Sequence, residues 1–246
     1  MFGILKSFIV LFAYLITGGI FLFFAVPVSL LFFPAGKHKK VFSKLLCKYM
    51  RWAVRDALPF LQVLEVKEVT GLQNVAKSGI LITNHQSFLD SFLILGHIPN
   101  IPLIKSSYRF NPLFAWVSPF FDFVGMEYST KGIAKADEKI RNLLKNKELV
   151  WICPEGTRSS NGKIKKFNSL GFRIASDLKT PIFPAVVYYS RVIMGKHKSS
   201  FIFSQKVNVK IHVLDAVIPL ENETTAKLLS RVQKTIEEEF WRMVGD

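Results

Sequence analysis

Between Phe8 and Phe33 the chain carries no charged residue for 26 positions, FIVLFAYLITGGIFLFFAVPVSLLFF, and few architectures can absorb such a run. At roughly 1.5 Å per residue a continuous helix of this length exceeds the roughly 30 Å hydrocarbon core of a bilayer. The run is too long for the apolar region of a cleaved signal peptide, and no small-residue cleavage site follows it. Burying it inside a soluble domain would need a core able to surround it, whereas 246 residues make one ordinary domain plus a short extra module. A membrane-embedded helical segment is the expectation. Gly18-Gly19 and Pro27 permit a bend, so a tilted span and a re-entrant hairpin both fit.

Charge narrows the setting. The chain has 33 Lys+Arg against 18 Asp+Glu, a formal +15, while half its residues are hydrophobic. Nucleic acid answers only the basic half of that description, and no recognition motif accompanies it; a phospholipid surface answers both halves. Lys40, Lys44, Lys48, Arg51 and Arg55 recur at helical spacing just after the apolar run. Such a stripe either lies toward lipid headgroups or forms a solvated charged face packed on the domain. By the positive-inside rule the cluster and the domain after it belong on the cytoplasmic face of the inner (plasma) membrane. Residues 1–61 thus read as a helical membrane anchor, with a basic amphipathic helix following the apolar helix or hairpin.

From Gln62 onward the pattern changes to that of an α/β domain spanning 62–246. Strand-like runs occupy Val63–Val69, Ile80–Thr83, Ile101–Ile104, Leu149–Cys153, Ile182–Tyr189, Phe201–Phe203 and Val207–Leu214. Helical patterns fall at Phe88–His97, Pro112–Val117, Ile133–Asn146, Gly171–Leu178 and Thr224–Met243. This alternation predicts a mixed, mostly parallel sheet flanked by helices. Cys47 and Cys153 show no metal or redox spacing, and His97, His197 and His212 supply no ligand set, so no metal is expected.

Two polar turns interrupt the apolar strands. In Leu81–Asp90 a strand runs into a loop and a helix start, with His85 in the loop and Ser87 suited to the N-cap, which places Asp90 at the third helical position. From there the carboxylate can curl back to the imidazole, fix its tautomer and support an imidazolium, or it can simply cap the helix. In Leu149–Ser159 a second strand ends at Pro154-Glu155-Gly156-Thr157-Arg158-Ser159. Gly156 allows a tight turn, Arg158 offers a planar fork to a phosphate, and Thr157 and Ser159 add hydroxyls. Read without a partner motif, this is equally a charged surface turn. No Gly-x-Ser-x-Gly elbow of a hydrolase is present.

Asn84-His85-Gln86-Ser87-Phe88-Leu89-Asp90 followed, 70 residues after His85, by Glu155-Gly156-Thr157-Arg158 resembles the glycerolipid acyltransferase family, above all its bacterial 1-acyl-sn-glycerol-3-phosphate branch. The resemblance covers about residues 71–187. It implies a membrane enzyme of phospholipid biosynthesis that moves a fatty acyl chain from a thioester to the sn-2 hydroxyl of lysophosphatidic acid, giving phosphatidic acid. His85 and Asp90 would be catalytic, with no covalent intermediate. Lys105, Lys131, Glu155, Gly156, Thr157, Arg158 and Ser159 would bind the acceptor; the family commonly has Arg where Lys131 stands. Its last block corresponds to Thr180-Pro181-Ile182-Phe183-Pro184, and Lys166 stands near the family's Phe-Lys, which here reads Phe167-Asn168. No bound cofactor is implied; the co-substrate is an acyl-carrier-protein or coenzyme A thioester. Acylation of glycerol 3-phosphate or another lysophospholipid is the sibling expectation, and a non-catalytic adaptor on anionic membranes is the alternative from a different class.

Overall fold

Seven strands in the order β1-β7-β6-β2-β5-β3-β4 form one sheet in the computed structural model, which describes residues 2–110, 112–191 and 206–245. The strands are β1 (Leu64–Thr70), β2 (Gly79–Thr83), β3 (Ile101–Lys105), β4 (Val124–Met126), β5 (Leu149–Ile152), β6 (Ile182–Tyr189) and β7 (Val207–Val213). The pairing is parallel throughout except between β6 and β7. The fold is therefore the mixed, mostly parallel α/β sheet that the alternating pattern implies. The strand expected at Phe201–Phe203 lies outside the described residues.

Helices cover both faces. These are α1 (Phe2–Leu30), α2 (His38–Trp52), the single turn α3 (Leu58–Phe60), α4 (Asp90–His97), α5 (Pro112–Val117), α6 (Thr130–Lys145), α7 (Leu170–Leu178) and α8 (Thr225–Gly245). Strand β2 is buried along all five residues, which explains its unbroken apolar text: a parallel strand with helices on both faces has no solvent side. Its alternation still sorts the core, because Leu81 packs with Phe92, Leu93 and Val54 on one face, whereas Ile80 and Ile82 meet Ile140, Phe172 and Val232 on the other. On the second face α6 begins where Ser129 caps it, accepting a hydrogen bond from Gly132 N.

The apolar run forms a single helix. α1 continues through Gly18-Gly19 and Pro27 to Leu30, so no hairpin forms within it, and the chain reverses only at residues 31–37 to bring α2 back along it. Phe21 stacks on Tyr49 at 4.7 Å and the Thr17 and Tyr49 hydroxyls lie 3.1 Å apart. At its N-terminal end Lys6 Nζ donates to the Gln62 carbonyl at 2.6 Å, and Tyr14 meets Phe92 of α4. α1 therefore lies along the α/β domain instead of rising from it as a free stem. Its outer side is bare: Phe8, Phe12, Phe23 and Phe24 are exposed, and the Leu5–Leu30 segment combines a mean hydropathy of 2.5 with 11% burial. A patch of that size is unusual on a surface facing water alone.

The basic stripe of α2 divides between its two expected fates. All five residues are exposed, but Lys40 pairs with Glu148 at 2.8 Å, Arg51 Nε donates to the Gly96 carbonyl at 2.7 Å and Arg55 pairs with its neighbour Asp56, whereas Lys44 and Lys48 have no such partner among the described residues. Part of the stripe thus ties the helix to the domain and part remains outside.

Candidate active site

β2 and β5 pair in parallel with Ile82 opposite Ile152, so the chain leaves both strands at the same edge of the sheet. That register sets residues 84–89 beside residues 153–168, and loops beyond the carboxyl ends of parallel strands are where open α/β sheets hold ligands. Asn84 anchors the first loop: its side-chain amide donates to the Val187 carbonyl at 2.9 Å and its oxygen accepts from Val187 N at 2.8 Å, extending the β2–β6 pairing past the last strand residue.

His85 and Asp90 meet. Nδ1 of His85 lies 2.8 Å from Oδ2 of Asp90, which is completely buried, while the His85 side chain keeps 23% of its surface exposed. The same Oδ2 accepts from Gln86 N at 2.9 Å and Ser87 N at 3.0 Å, and Oδ1 accepts from the Tyr189 hydroxyl at 2.6 Å. A carboxylate with both oxygens so occupied has one rotamer, and the bond at Nδ1 leaves Nε2 as the ring nitrogen for a substrate hydroxyl. Burial, with the Asp90 charge alongside, raises the Tyr189 hydroxyl well above its ordinary range, so it stays a donor. The reciprocal capping bonds expected of these residues are present, Ser87 Oγ accepting from Leu89 N at 3.2 Å and the Asp90 carboxylate accepting from Ser87 N, although regular helix α4 begins only at Asp90.

The second turn grips the backbone of the first. Glu155 Oε1 accepts from His85 N at 2.7 Å, Glu155 Oε2 accepts from Lys165 N at 2.9 Å, and Ser159 N donates to the His85 carbonyl at 2.7 Å. Burial pushes the Glu155 carboxyl up to about 7 against the pull of its two N–H donors. Gly156 adopts φ +66, and a Cβ there would meet the Tyr128 hydroxyl at 2.7 Å, so glycine is favoured and any side chain would displace that hydroxyl. That hydroxyl donates to the Gly156 carbonyl at 3.1 Å, and Lys105 Nζ sits 5.7 Å from the centroid of the Tyr128 ring.

An open cavity of about 420 Å³ lies over this turn, walled by Tyr128, Glu155, Gly156, Thr157, Lys166 and Asn168. The other residues singled out by sequence are placed as follows. Lys105 is exposed at the end of β3, next to the cavity through Tyr128, and Lys131 is exposed in the first turn of α6 without lining it. The Arg158 carbonyl accepts from Lys165 Nζ at 2.9 Å, and the buried Ser159 hydroxyl donates to the Lys163 carbonyl, so it serves the loop. Pro181 and Pro184 serve the sheet, their carbonyls accepting from Ile80 N at 3.0 Å and Leu214 N at 2.8 Å. Among the described residues no group of His, Cys, Asp and Glu is arranged to hold a metal ion. Tyr128 and Tyr189 escaped the sequence reading: each meets the site only through the fold, Tyr189 as the last residue of an apolar strand.

A family model described as "Acyltransferase" matches residues 66–188. The 1-acyl-sn-glycerol-3-phosphate acyltransferase of Saccharomyces cerevisiae is 36% identical over 132 residues, 50% of this chain and 43% of that protein. The human 1-acyl-sn-glycerol-3-phosphate acyltransferase beta is 30% identical over 181 residues, 71% of this chain and 63% of that protein. The chain spans about half the length of the curated relatives it matches. The crystal structure of PlsC, a 1-acyl-sn-glycerophosphate (LPA) acyltransferase from Thermotoga maritima, has the same fold, with a TM-score of 0.75 at 23% identity over 97% of this chain and 93% of that one. The family model covers half of the residues and contains both turns that meet at His85, and this chain belongs to the acyltransferase family.

Proposed function

We propose that this protein transfers a fatty acyl group from an acyl thioester to the sn-2 hydroxyl of 1-acyl-glycerol 3-phosphate, giving phosphatidic acid. The observation that carries the reading is the 2.8 Å contact between His85 Nδ1 and the fully buried Asp90 carboxylate, beside a turn bearing Glu155 to Arg158. The names of the yeast and human relatives support the acceptor.

The acceptor O–H gives its proton to His85 Nε2 as the oxygen attacks the thioester carbonyl carbon. Asp90 holds the tautomer and offsets the imidazolium charge. The tetrahedral intermediate then expels the thiolate, which takes the proton back from His85, so an ester and a free thiol leave a neutral site. Lys105, Arg158 and Lys166 provide cations around the cavity for the acceptor phosphate, with Lys131 farther out. Holding the hydroxyl in attack geometry removes much of the entropic barrier. Both substrate and product carry long chains, and the bare side of α1 with Lys44 and Lys48 suits delivery from the cytoplasmic leaflet of the membrane.

The test is a panel of lysophosphatidic acid, glycerol 3-phosphate and other lysophospholipids against coenzyme A and acyl-carrier-protein thioesters, with products identified by mass spectrometry. Phosphatidic acid from lysophosphatidic acid, lost by roughly 10²–10⁴-fold in kcat in His85→Ala, is the expected result. Unchanged turnover in His85→Ala would remove the mechanism, and preference for another acceptor would replace the substrate.

A further inference from the structure

A second cavity, of about 230 Å³, opens on the other side of the catalytic loop. The first cavity takes residues 154–157 and 166–168 of the second turn, whereas this one takes residues 161–163 from the middle of it. The turn therefore divides the two cavities, and its bonds to His85 N and His85 O fix the catalytic residue at the partition. The new cavity is walled by Gln86, Lys163, Tyr188, Arg191, Phe240 and Trp241. Gln86 follows His85 directly and is 5% exposed, yet its side-chain nitrogen is buried with no hydrogen-bond partner among the described residues. An unpaired buried amide is costly, and a ligand carrying complementary groups would relieve that cost.

Direct acyl transfer needs acceptor and donor present together, one on each side of the activated hydroxyl. The wall chemistry separates the two. A carboxamide that both donates and accepts matches a peptide-like amide, the rings of Tyr188, Phe240 and Trp241 match a methylene chain, and Lys163 and Arg191 match a terminal phosphate. We infer that this cavity between the Gln86 loop, residues 161–163 and the end of α8 receives the phosphopantetheine arm of the acyl donor, the portion shared by coenzyme A and acyl carrier protein thioesters. The inference rests on the acyl-transfer reading and assigns its second substrate a place.

Steady-state kinetics on the full chain in lysophosphatidic acid vesicles tests it with three donors: acyl-coenzyme A, acyl carrier protein thioester and an acyl-pantetheine lacking the phosphate. Gln86→Leu should raise KM for all three by about tenfold, one hydrogen bond's worth, with KM for the acceptor unmoved. Lys163→Ala should raise KM for the two phosphorylated donors and leave acyl-pantetheine unchanged. A second readout needs no turnover: free 4′-phosphopantetheine should change the fluorescence of the wild type and leave that of Trp241→Phe unaltered. Binding without transfer would overturn the acyl-transfer reading while leaving the site. Transfer in which these variants shift the acceptor KM, or neither KM, would overturn the site while leaving the reaction, as would a fluorescence change that survives in Trp241→Phe.

Discussion

The Asp90 carboxylate receives four hydrogen bonds, from His85 Nδ1, two backbone N–H groups and the Tyr189 hydroxyl. Tyr189 touches no substrate-facing atom of His85, so its effect runs through the orientation of Asp90. Tyr189→Phe should cost roughly 1.5–3 kcal/mol of stability, the range for a hydrogen bond to a charged group, and lower kcat with little change in KM; urea unfolding and steady-state kinetics read the two. Glu155 carries a pH signature. Its folded pKa of about 7 stands above the ordinary glutamate value of 4.5, so between those values the folded state holds a proton that the unfolded chain has released. Stability from this group is thus fully present below about pH 4.5, falls as pH rises to about 7 and is level above it, a change on the order of 3 kcal/mol. Thermal unfolding across that window should show the slope in the wild type, and Glu155→Gln should lack it. The His85–Asp90 relation was legible because both residues sit in one local turn, five positions apart. The bond from His85 N to Glu155 was not, since it crosses 70 residues and exists only because β2 and β5 are neighbours.

At the scale of elements, α1 presents a bare apolar side and α2 an exposed basic stripe, the two features on which the proposed lipid contact rests. Lys44 and Lys48 are the members of the stripe with no hydrogen bond or ion pair among the described residues, and a lysine near an anionic surface contributes about 1 kcal/mol. Lys44→Gln with Lys48→Gln should weaken binding to anionic vesicles by about 30-fold at low salt, and the difference should shrink as ionic strength rises; vesicle co-sedimentation measures both. Several elements were legible: β6 at Ile182–Tyr189 and α5 at Pro112–Val117 match their sequence patterns, and β3 differs by one residue. Strand β4 was missed because three residues, Val124–Met126, give no period and follow a Phe-rich stretch. Helix α6 starts at Thr130, three residues before the apolar pattern, because Ser129 caps the turn ahead of it.

Across the whole molecule, the site depends on the centre of the sheet. β2 lies between β5 and β6, and Asn84 fastens its end to Val187, 103 residues away. Asn84→Ala would leave a buried N–H and a buried carbonyl unpaired, at roughly 1–3 kcal/mol each, and should lower the urea midpoint while loosening His85. Sequence patterns reported every strand except β4 but not the order of strands, which is why Tyr189, Asn84 and Glu155 acquire their partners only in three dimensions. One practical use follows from how the second turn holds the first by its main chain and not by its ring. Exchanging the imidazole for a methyl group leaves both of those backbone bonds in place. His85→Ala should therefore be a silent but intact scaffold, suited to capturing thioester and lysolipid side by side for crystallography before either is consumed.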